Sequence, residues 1–299
     1  METPSEAIVI RDLWKIYSRK KDLRISSSDV ENEERVEELD KGEDAVVAMK
    51  NVSLSVNHGE TFIIMGLSGS GKSTLIRCLI RLVEPTSGEI VVNGENVVAM
   101  RKRELVDFRR EKIAMVFQHY GLLPHRTVLD NVCFGLKLRG EEKEARRAKA
   151  VEALEQVGLK GWEKYYPASL SGGMRQRVGI ARALVMDPSI LLMDEPFSGL
   201  DPLIRRELQD EMIRLQKEMH KTIFFVTHDL SEALRMGDRM AIMKKGEIVQ
   251  VGSPDEVIAN PADEYVAKFV QDEREQLQRA ERALTKEQMG KEAVVVHVS

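Results

Sequence analysis

The segment GLSGSGKST, at residues 66–74, has the composition and spacing of a loop that binds phosphate groups. It matches the pattern G-x-x-x-x-G-K-[ST] and stands between a strand-like apolar run, TFIIM, and a helical run, TLIRCLIRL. The glycines let backbone N–H groups turn toward anionic oxygens, and the helix start adds the positive end of its dipole. Lys72 should reach the β- and γ-phosphates of a nucleotide, and the Ser73 hydroxyl should ligate Mg²⁺. The other residues expected to bind the nucleotide here are Ser68, Gly69, Ser70, Gly71 and Thr74.

Two adjacent acids, Asp194 and Glu195, end the apolar strand-like run SILLM. Adjacent residues at a strand end point in different directions, so they can take different tasks. Beside a phosphate loop, Asp194 would hold Mg²⁺ and Glu195 would orient and polarise an attacking water. His228 follows the next apolar run, TIFFV, and would hydrogen-bond the γ-phosphate. The alternatives are a solvated strand end for the two acids and a structural role for the histidine.

The segment LSGGMRQR, at residues 170–177, combines small turn-forming residues with the start of a helical run. No histidine lies nearby in the sequence to activate Ser171 as a nucleophile. The Ser171 hydroxyl and the backbone N–H groups of Gly172 and Gly173 could instead form a second anion site at a helix N-terminus. A flexible loop is the other interpretation.

The composition of the 299-residue chain is that of an ordinary folded protein, with 42% apolar and 31% charged residues. Its net charge of −4 and pI near 6.0 argue against nucleic-acid binding through a basic surface. The start, METPSEAIVI, has no signal-peptide pattern, and no apolar run approaches the ~20 residues of a membrane span. We expect a location in the cytosol unless a partner holds the chain at a membrane. Cys78 and Cys133 are expected to be reduced thiols in helices, without a metal.

Strand and helix signals alternate along the chain in the manner of an α/β protein. Residues 1–65 are β-rich, and Asn93-Gly94 in GEIVVNGENV marks a hairpin turn. Residues from about 126 to 186 have helical periodicity, which predicts a helical subdomain. Beyond them, SILLM, TIFFV and RMAIM alternate with helical segments, and this predicts a parallel sheet flanked by helices.

An acidic segment interrupts the β-rich part of the chain. Residues 29–44 carry nine acids against Arg35 and Lys41, which gives a local charge of −7. We expect a solvated loop or a short surface helix here; a binding site for cations or basic partners is the alternative. After about Gln271, the chain is expected to form a charged surface helix.

The order of these motifs resembles that of ATP-binding cassette (ABC) ATPases over roughly residues 8–270. LSGGMRQR, which lies just before SILLMDEP, resembles the signature motif of that family. Gln118 in IAMVFQHYG resembles the Q-loop residue, Ser198-Gly199-Leu200-Asp201 resembles the D-loop, and His228 resembles the switch histidine.

The resemblance implies a P-loop NTPase fold: an ABC nucleotide-binding domain with a RecA-like α/β core, an antiparallel β subdomain and an α-helical subdomain. The domain would occupy residues 1–270, with an acidic insertion at about 19–45 and the helical subdomain at about 119–186. Residues 271–299 would form a short charged helical tail.

The resemblance also implies a head-to-tail dimer with two ATP molecules, each with Mg²⁺, between the copies. One copy would supply Tyr17, Lys72, Ser73, Gln118, Asp194, Glu195 and His228, and the other Ser171, Gly172, Gly173 and Gln176, with Asp201 at the dimer seam. Tyr17 in DLWKIY resembles the aromatic residue that stacks on adenine, with Trp14 as a substitute. Gln118 would join Ser73 and Asp194 as a metal ligand. Lys72, Glu195 and His228 would be the catalytic residues.

Several segments are similar to the ATPase subunits of glycine betaine/proline-type importers, among them IMGLSGSGKSTLIRCLIRLVEPTSGEI and LSGGMRQRVGIARAL. The long segment between Tyr17 and Val46 also resembles this subgroup. Many members carry tandem cystathionine-β-synthase-type (CBS) regulatory domains, and the 29 residues after Val270 are too few to form them.

The subgroup resemblance implies an ATP-hydrolysing subunit at the cytoplasmic face of the membrane, which supports uptake of glycine betaine, proline or choline. Its partners would be permease subunits and, indirectly, a substrate-binding protein, with no nucleic acid. Residues 119–131, which include Leu122-Leu123-Pro124, would dock on the permease or else pack the subdomain hinge. The alternatives are import of another small solute, an ABC ATPase without transport, and a regulatory module that only binds ATP.

Overall fold

The fold is seen in a computed structural model, which describes residues 6–20, 25–30, 32–42, 44–118 and 120–275. Within these residues the chain forms two β-sheets with helices around them. Most of the predicted C-terminal tail, residues 276–299, lies outside the described residues, as does position 119 of the predicted docking segment.

A six-stranded sheet forms the centre of the protein. Its strands are β3 (Thr61–Met65), β6 (Ile113–Val116), β7 (Ile190–Asp194), β8 (Thr222–Val226), β9 (Arg239–Lys244) and β10 (Glu247–Gly252), in the spatial order β10-β9-β3-β8-β7-β6. All neighbours are parallel except β10, which runs antiparallel to β9. Every residue of β3, β7 and β8 is buried, as expected for parallel strands covered on both faces. The predicted parallel sheet is confirmed.

A second, antiparallel sheet is built from the β-rich part of the sequence. Its strands are β1 (Glu6–Ser18), β2 (Ala45–Asn57), β4 (Ser87–Val92) and β5 (Glu95–Asn96), in the order β2-β1-β4-β5. The turn between β4 and β5 is the predicted Asn93-Gly94, and both residues have a positive φ (48° and 79°). Two such residues in succession suit the tight hairpin turn that the dipeptide predicts.

Helices cover both faces of the central sheet and form a group of their own between β6 and β7. They are α1 (Ser27–Val30), α2 (Glu33–Lys41), α3 (Lys72–Leu79), α4 (Lys102–Glu111), α5 (Val128–Val132), α6 (Phe134–Leu138), α7 (Lys143–Gln156), α8 (Gly172–Leu184), α9 (Pro202–Met219), α10 (Leu230–Met236), α11 (Pro254–Ala259) and α12 (264–275), with a 3₁₀ turn at Pro167–Ser169. Helices α5 to α8 fall in the region of predicted helical periodicity. The fold class is confirmed, whereas the domain limits stay predictions, since α12 runs across the expected boundary at residue 270.

Alternate residues of the central strands face two separate cores. Ile63 and Phe225 belong to the core beneath α8, α9 and the helices between β6 and β7. Phe62 and Phe224 belong to the core shared with α3 and the antiparallel sheet, where their rings stack 6.0 Å apart. This side-to-side alternation follows from the two-residue period of a strand. The loops at the carboxyl ends of the strands are therefore held by packed layers on both faces.

The acidic segment contains a short surface helix, one of the two forms expected for it. Helix α2 begins after Asn32, whose side chain accepts a hydrogen bond from the Arg35 N–H at 3.0 Å. Val36 and Leu39 are buried, and Leu39 packs in a small cluster with Ile16 of β1 and Ala45 of β2. The helix is thus attached to the antiparallel sheet through one apolar edge, while Glu34, Glu37 and Glu38 are exposed to solvent.

Both cysteines are buried and free of disulfide bonds. Burial raises the pKa of the Cys78 thiol in α3 to about 12, which keeps it protonated and unreactive. Cys133 lies at the junction of α5 and α6 and not inside a helix as expected. Among the residues that the structure describes, no helix is long and apolar enough to cross a membrane.

Candidate nucleotide site

The predicted phosphate loop joins the end of β3 to the start of α3. Gly66 and Gly71 have positive φ angles of 148° and 107°. A Cβ atom at Gly66 would lie 2.2 Å from the Met243 carbonyl oxygen, and one at Gly71 would lie 2.4 Å from the Ala48 carbonyl oxygen. Glycine is therefore required at both positions, for conformation and for space. Gly71 is the N-cap residue of α3. Because glycine has no side chain, it makes no capping hydrogen bond to the first N–H groups of the helix.

Lys72 points back into the hollow of this loop. Its side chain is largely buried, with 5% of the residue exposed, and Nζ donates hydrogen bonds to the carbonyl oxygens of Gly66 (2.7 Å) and Leu67 (3.1 Å). Burial lowers the pKa of Lys72, while the charges of Glu195 and Asp194 act in the opposite direction. The ammonium group is thus held where a loop-bound phosphate would meet it.

Asp194 and Glu195 diverge, as predicted for adjacent residues at a strand end. Asp194 is the last residue of β7 and is buried; one carboxylate oxygen accepts from Ser73 Oγ at 3.1 Å, and the other lies 3.4 Å from Arg77 Nη2. Burial raises the pKa of Asp194, with Ser73 and Arg77 opposing the change. Glu195 has a φ of 46°, in the left-handed region, and its carboxylate contacts a different set of partners, Gln118 and His228.

Glu195 Oε2 contacts two other predicted site residues, Gln118 and His228. It accepts a hydrogen bond from Gln118 Nε2 at 3.1 Å, and His228 Nδ1 lies 3.4 Å from it. The hydrogen bond with His228 lowers the pKa of Glu195 and raises the pKa of His228. Three residues that follow the neighbouring strands β6, β7 and β8 are thereby brought together at one edge of the sheet.

These residues border a cleft of about 650 Å³. Its lining combines the phosphate loop with residues from five other segments: Val46, Val47, Ala48, Leu67, Ser68, Gly69, Ser70, Gly71, Lys72, Ser73, Thr74, Gln118, Glu195, His228, Phe269 and Glu273. Sequence reasoning missed Phe269 and Glu273 of α12, as well as Arg77. A helical reading of α3 would have placed Arg77 one turn after Ser73, but no local signal links α12 to the loop.

The predicted adenine-stacking residue stands beside this cleft and not in its described lining. Tyr17 of β1 pairs with Val46 of β2, which does line the cleft. The residue is 37% exposed, and Lys15 Nζ lies 4.7 Å from the centroid of its ring. Trp14 lies farther along β1, where it pairs with Ser87 of β4. Tyr17 is the better placed of the two aromatic candidates, and its role stays a prediction.

The LSGGMRQR residues lie at the start of α8 and are not among the residues that line the cleft. Ser171 is the residue that caps α8, and its Oγ accepts from the Met174 N–H at 3.3 Å. Gly173 faces α9 so closely that a Cβ there would lie 2.6 Å from Ile204 Cγ2. Gln176 is fully buried, and neither atom of its amide has a hydrogen-bond partner. Asp201 caps α9 by accepting from the Leu203 N–H at 2.9 Å.

The structure thus separates the predicted site residues into two groups. The phosphate loop, Gln118, Asp194, Glu195 and His228 come together, whereas the N-terminal end of α8 and Asp201 lie apart from them. Within the described residues, no group of three or more histidine, cysteine or acidic side chains is arranged to hold a metal ion. A Mg²⁺ ion would depend on Ser73, Asp194 and oxygens of the nucleotide itself, which is the usual way this ion is bound beside phosphates.

The fold and the site together define a P-loop nucleotide-binding protein. A family model described as "ABC transporter" matches residues 49–198. The chain therefore belongs to the ABC transporter family.

Several curated relatives are similar over most of the chain. The glycine betaine transport ATP-binding protein OpuAA of Bacillus subtilis is 55% identical over 79% of this chain and 56% of its own length. The glycine betaine/proline betaine transport protein ProV of Escherichia coli is 57% identical over 75% and 56%. The trimethylamine N-oxide transport protein TmoW of Ruegeria pomeroyi is 50% identical over 90% and 78%. The chain thus spans about half the length of the first two relatives.

A solved structure shares the fold. It is described as a dimeric post-hydrolysis state of the ATP-binding cassette MJ0796 bound to ADP and Pi. It is 33% identical to this chain, with a TM-score of 0.70, and the match covers 83% of this chain and 98% of the other.

Proposed function

We propose that this chain is the ATP-hydrolysing subunit of an ABC importer. The observation that carries the proposal is the position of Glu195, whose carboxylate borders the phosphate-loop cleft and is held by Gln118 and His228. A carboxylate kept ionised at that place can accept the proton of a water molecule that attacks a terminal phosphate. A module that only bound ATP would have no need of this group.

The residues of the phosphate loop fit a nucleotide with Mg²⁺. Ser70 Oγ is buried without a hydrogen-bond partner, so it could donate to an anionic oxygen, and Lys72 Nζ now uses only carbonyl oxygens of its own loop. Ser73 Oγ and Asp194 lie together as a hydroxyl and carboxylate pair that suits Mg²⁺. The ion, when bound, would neutralise charge on the phosphate oxygens.

The roles of the remaining residues follow from where they stand. Glu195 orients the attacking water and takes its proton, while Gln118 keeps the carboxylate in place and would also be a ligand of the metal. His228, which contacts the same oxygen of Glu195, donates a hydrogen bond to the terminal phosphate. Lys72 stabilises the charge that builds up on the phosphate oxygens. Tyr17 stacks on adenine at the edge of the cleft.

We also propose that the active form is a head-to-tail dimer. The N-terminal end of α8 carries Ser171, Gly172 and Gly173 away from the cleft of its own chain, so a terminal phosphate would reach it from a second copy. Gln176 supports that end from inside, and Asp201 lies at the seam. Two solved structures of MJ0796, both described as dimeric, support a dimer as the active form.

The importer itself would take up small osmolytes such as glycine betaine, proline or choline. The names of OpuAA, ProV and TmoW support methylated amines as the class of cargo. The chain would act at the cytoplasmic face of the membrane, bound to permease subunits that receive cargo from a substrate-binding protein. Leu122, Leu123 and Pro124 would belong to the surface that docks on the permease.

The decisive experiment is phosphate release by purified Glu195→Gln protein with Mg²⁺ and ATP. Loss of the base should lower the rate by about 100-fold or more. It should also leave an ATP-bound dimer that elutes at twice the monomer mass. Glu144→Gln, at an exposed carboxylate in α7, is the matched control and should behave like the parent. A parent-like rate in Glu195→Gln would overturn the assignment.

A further inference from the structure

A second glutamate, Glu232, is buried close to His228 and has no part in the site described above. It belongs to α10, only 3% of it is exposed, and both of its carboxylate oxygens are used. Oε2 accepts a hydrogen bond from Thr227 Oγ1 at 2.5 Å, and Oε1 lies 3.5 Å from Gln209 Nε2. Because a buried carboxylate is costly, its presence here calls for a specific role.

Thr227 connects Glu232 to the backbone on both sides of His228. While its hydroxyl donates to Glu232, the same oxygen accepts from the Asp229 N–H at 3.0 Å. The Thr227 N–H donates to the Ile64 carbonyl of β3 at 3.1 Å. The residues before and after His228 are thus tied to one hydroxyl, and the orientation of that hydroxyl is set by Glu232.

The same network reaches α9, the helix that begins after Asp201. Arg205 Nη1 forms an ion pair with Asp229 Oδ2 at 2.7 Å, and Gln209, one turn further on, contacts Glu232. Residues 201, 205 and 209 are spaced four apart, so they lie on one face of α9. Through Arg205 and Gln209, this face contacts Asp229, which follows His228, and Glu232.

We infer that Glu232 is a positioning residue for His228. Through Thr227 and Gln209 it fixes the turn that presents the imidazole to Glu195, and it ties this turn to α9. A shift at Asp201, where we place the dimer seam, would thereby reach His228 through packed, hydrogen-bonded groups. The inference rests on the proposed ATP hydrolysis at the cleft.

The charge of Glu232 should be sensitive to pH near neutrality. Burial raises its pKa to about 7, with Asp229 acting in the same direction and Thr227, Arg205 and His228 opposing it. Above this pH the carboxylate accepts from Thr227; below it the added proton competes for that contact. Phosphate release should therefore change around pH 7 in the parent, and Glu232→Gln should remove this component.

The test is a double-mutant cycle on kcat with the full chain, Mg²⁺ and ATP. Glu232→Ala should lower kcat by about 10- to 100-fold, because the imidazole loses its fixed position, and should leave nucleotide affinity unchanged. In a His228→Ala background, Glu232→Ala should have no further effect. Independent, additive losses would overturn the inference.

Further variants separate positioning from simple destabilisation. Thr227→Val should reproduce the loss caused by Glu232→Ala, whereas Thr227→Ser, which keeps the hydroxyl, should retain most of the parent kcat. Leu105→Ala, in the other core, is a control that lowers thermal stability without lowering kcat. If Leu105→Ala lowered kcat as much as Glu232→Ala does, the result would count against a positioning role for Glu232.

A spectroscopic measurement gives a readout that does not depend on hydrolysis. The side-chain NMR signals of His228 should shift in Glu232→Ala and stay near their parent positions in Thr227→Ser. A parent protein that releases no phosphate would refute the proposed hydrolysis, and the NMR comparison would still test the positioning. Unchanged His228 signals in Glu232→Ala would refute the positioning alone.

Discussion

Nδ1 of His228 lies 3.4 Å from Oε2 of Glu195, although the two residues follow different strands of the central sheet. Their contact favours the charged form of each residue: the pKa of His228 is raised and the pKa of Glu195 is lowered. The proposed base is therefore held in its ionised form next to a group that can donate to a phosphate.

The ion pair predicts a defined pH window for its effect on stability. His228 contributes fully below its unfolded pKa of 6.5, and the contribution is lost as pH rises through its higher folded pKa. Glu195 contributes above 4.5, and its contribution is lost as pH falls through its lower folded pKa. His228→Ala should thus lower the free energy of unfolding more at pH 5.5 than at pH 9.

Urea unfolding at the two pH values checks this prediction. The loss of unfolding free energy should differ only slightly between the two pH values, since 59% of the His228 side chain is exposed and solvent screens the pair. Glu195→Gln should show the same pH trend as His228→Ala. An equal loss of stability at both pH values would speak against the pair.

Ser171→Ala should separate hydrolysis from nucleotide binding. If Ser171 serves a second copy, hydrolysis should fall by about 10-fold or more, while ATP binding to the monomer should be unchanged. The lost helix cap should also cost about 1 kcal/mol of stability. Phosphate release and calorimetric ATP titration measure the two effects.

Ser253→Ala is the matched control, because Ser253 also caps a helix, α11, through its side chain. It should lose stability and keep its hydrolysis rate. A substitution at Gly173 is a poorer probe of the same site, since any side chain there would strike Ile204. Weakened monomer binding in Ser171→Ala would disprove the two-copy arrangement.

Asp194→Asn should remove the advantage that Mg²⁺ gives to ATP binding. In the parent, ATP should bind more tightly with Mg²⁺ than with a chelator present, because Asp194 and Ser73 are placed to hold the ion. In Asp194→Asn the two affinities should converge. Arg77→Gln breaks the 3.4 Å ion pair with Asp194 but removes no ligand, so it should keep the Mg²⁺ effect. A full Mg²⁺ effect in Asp194→Asn would contradict the assignment.

Leu39→Ala should loosen α2 without affecting the cleft. Leu39 is buried in the small cluster with Ile16 and Ala45, and losing such a side chain typically costs about 2–5 kcal/mol. Amide hydrogen exchange should rise in residues 32–42, while ATP affinity and hydrolysis stay at parent values. Val46 lines the cleft near this cluster, so a loss of ATP affinity would show that α2 supports the nucleotide site.

Much of the candidate site could be predicted from local sequence. The phosphate loop is one contiguous segment. The sequence alone shows its required glycines, its lysine and the strand and helix on either side of it. The buried runs before Asp194 and His228 place each at the end of a strand, because parallel strands covered on both faces are continuously apolar. The hairpin turn at Asn93-Gly94 could also be predicted from local sequence, because this dipeptide favours a tight turn.

Contacts between distant segments could not be predicted in this way. Gln118 and Glu195 are 77 residues apart, and their 3.1 Å hydrogen bond depends on β6 and β7 being neighbours. The burial of Glu232 against Gln209, and the approach of Phe269 to the phosphate loop, likewise depend on how α9, α10 and α12 pack.

The sequence by itself determined the chemical groups of this protein and the strand, loop and helix that hold its phosphate loop, because these depend on residue type and short-range backbone preference. Only the tertiary structure decided which of those groups meet. Strand order and helix packing are settled by burial across the whole chain, and these bring Gln118 and His228 to Glu195 while leaving Ser171 outside the lining of that cleft.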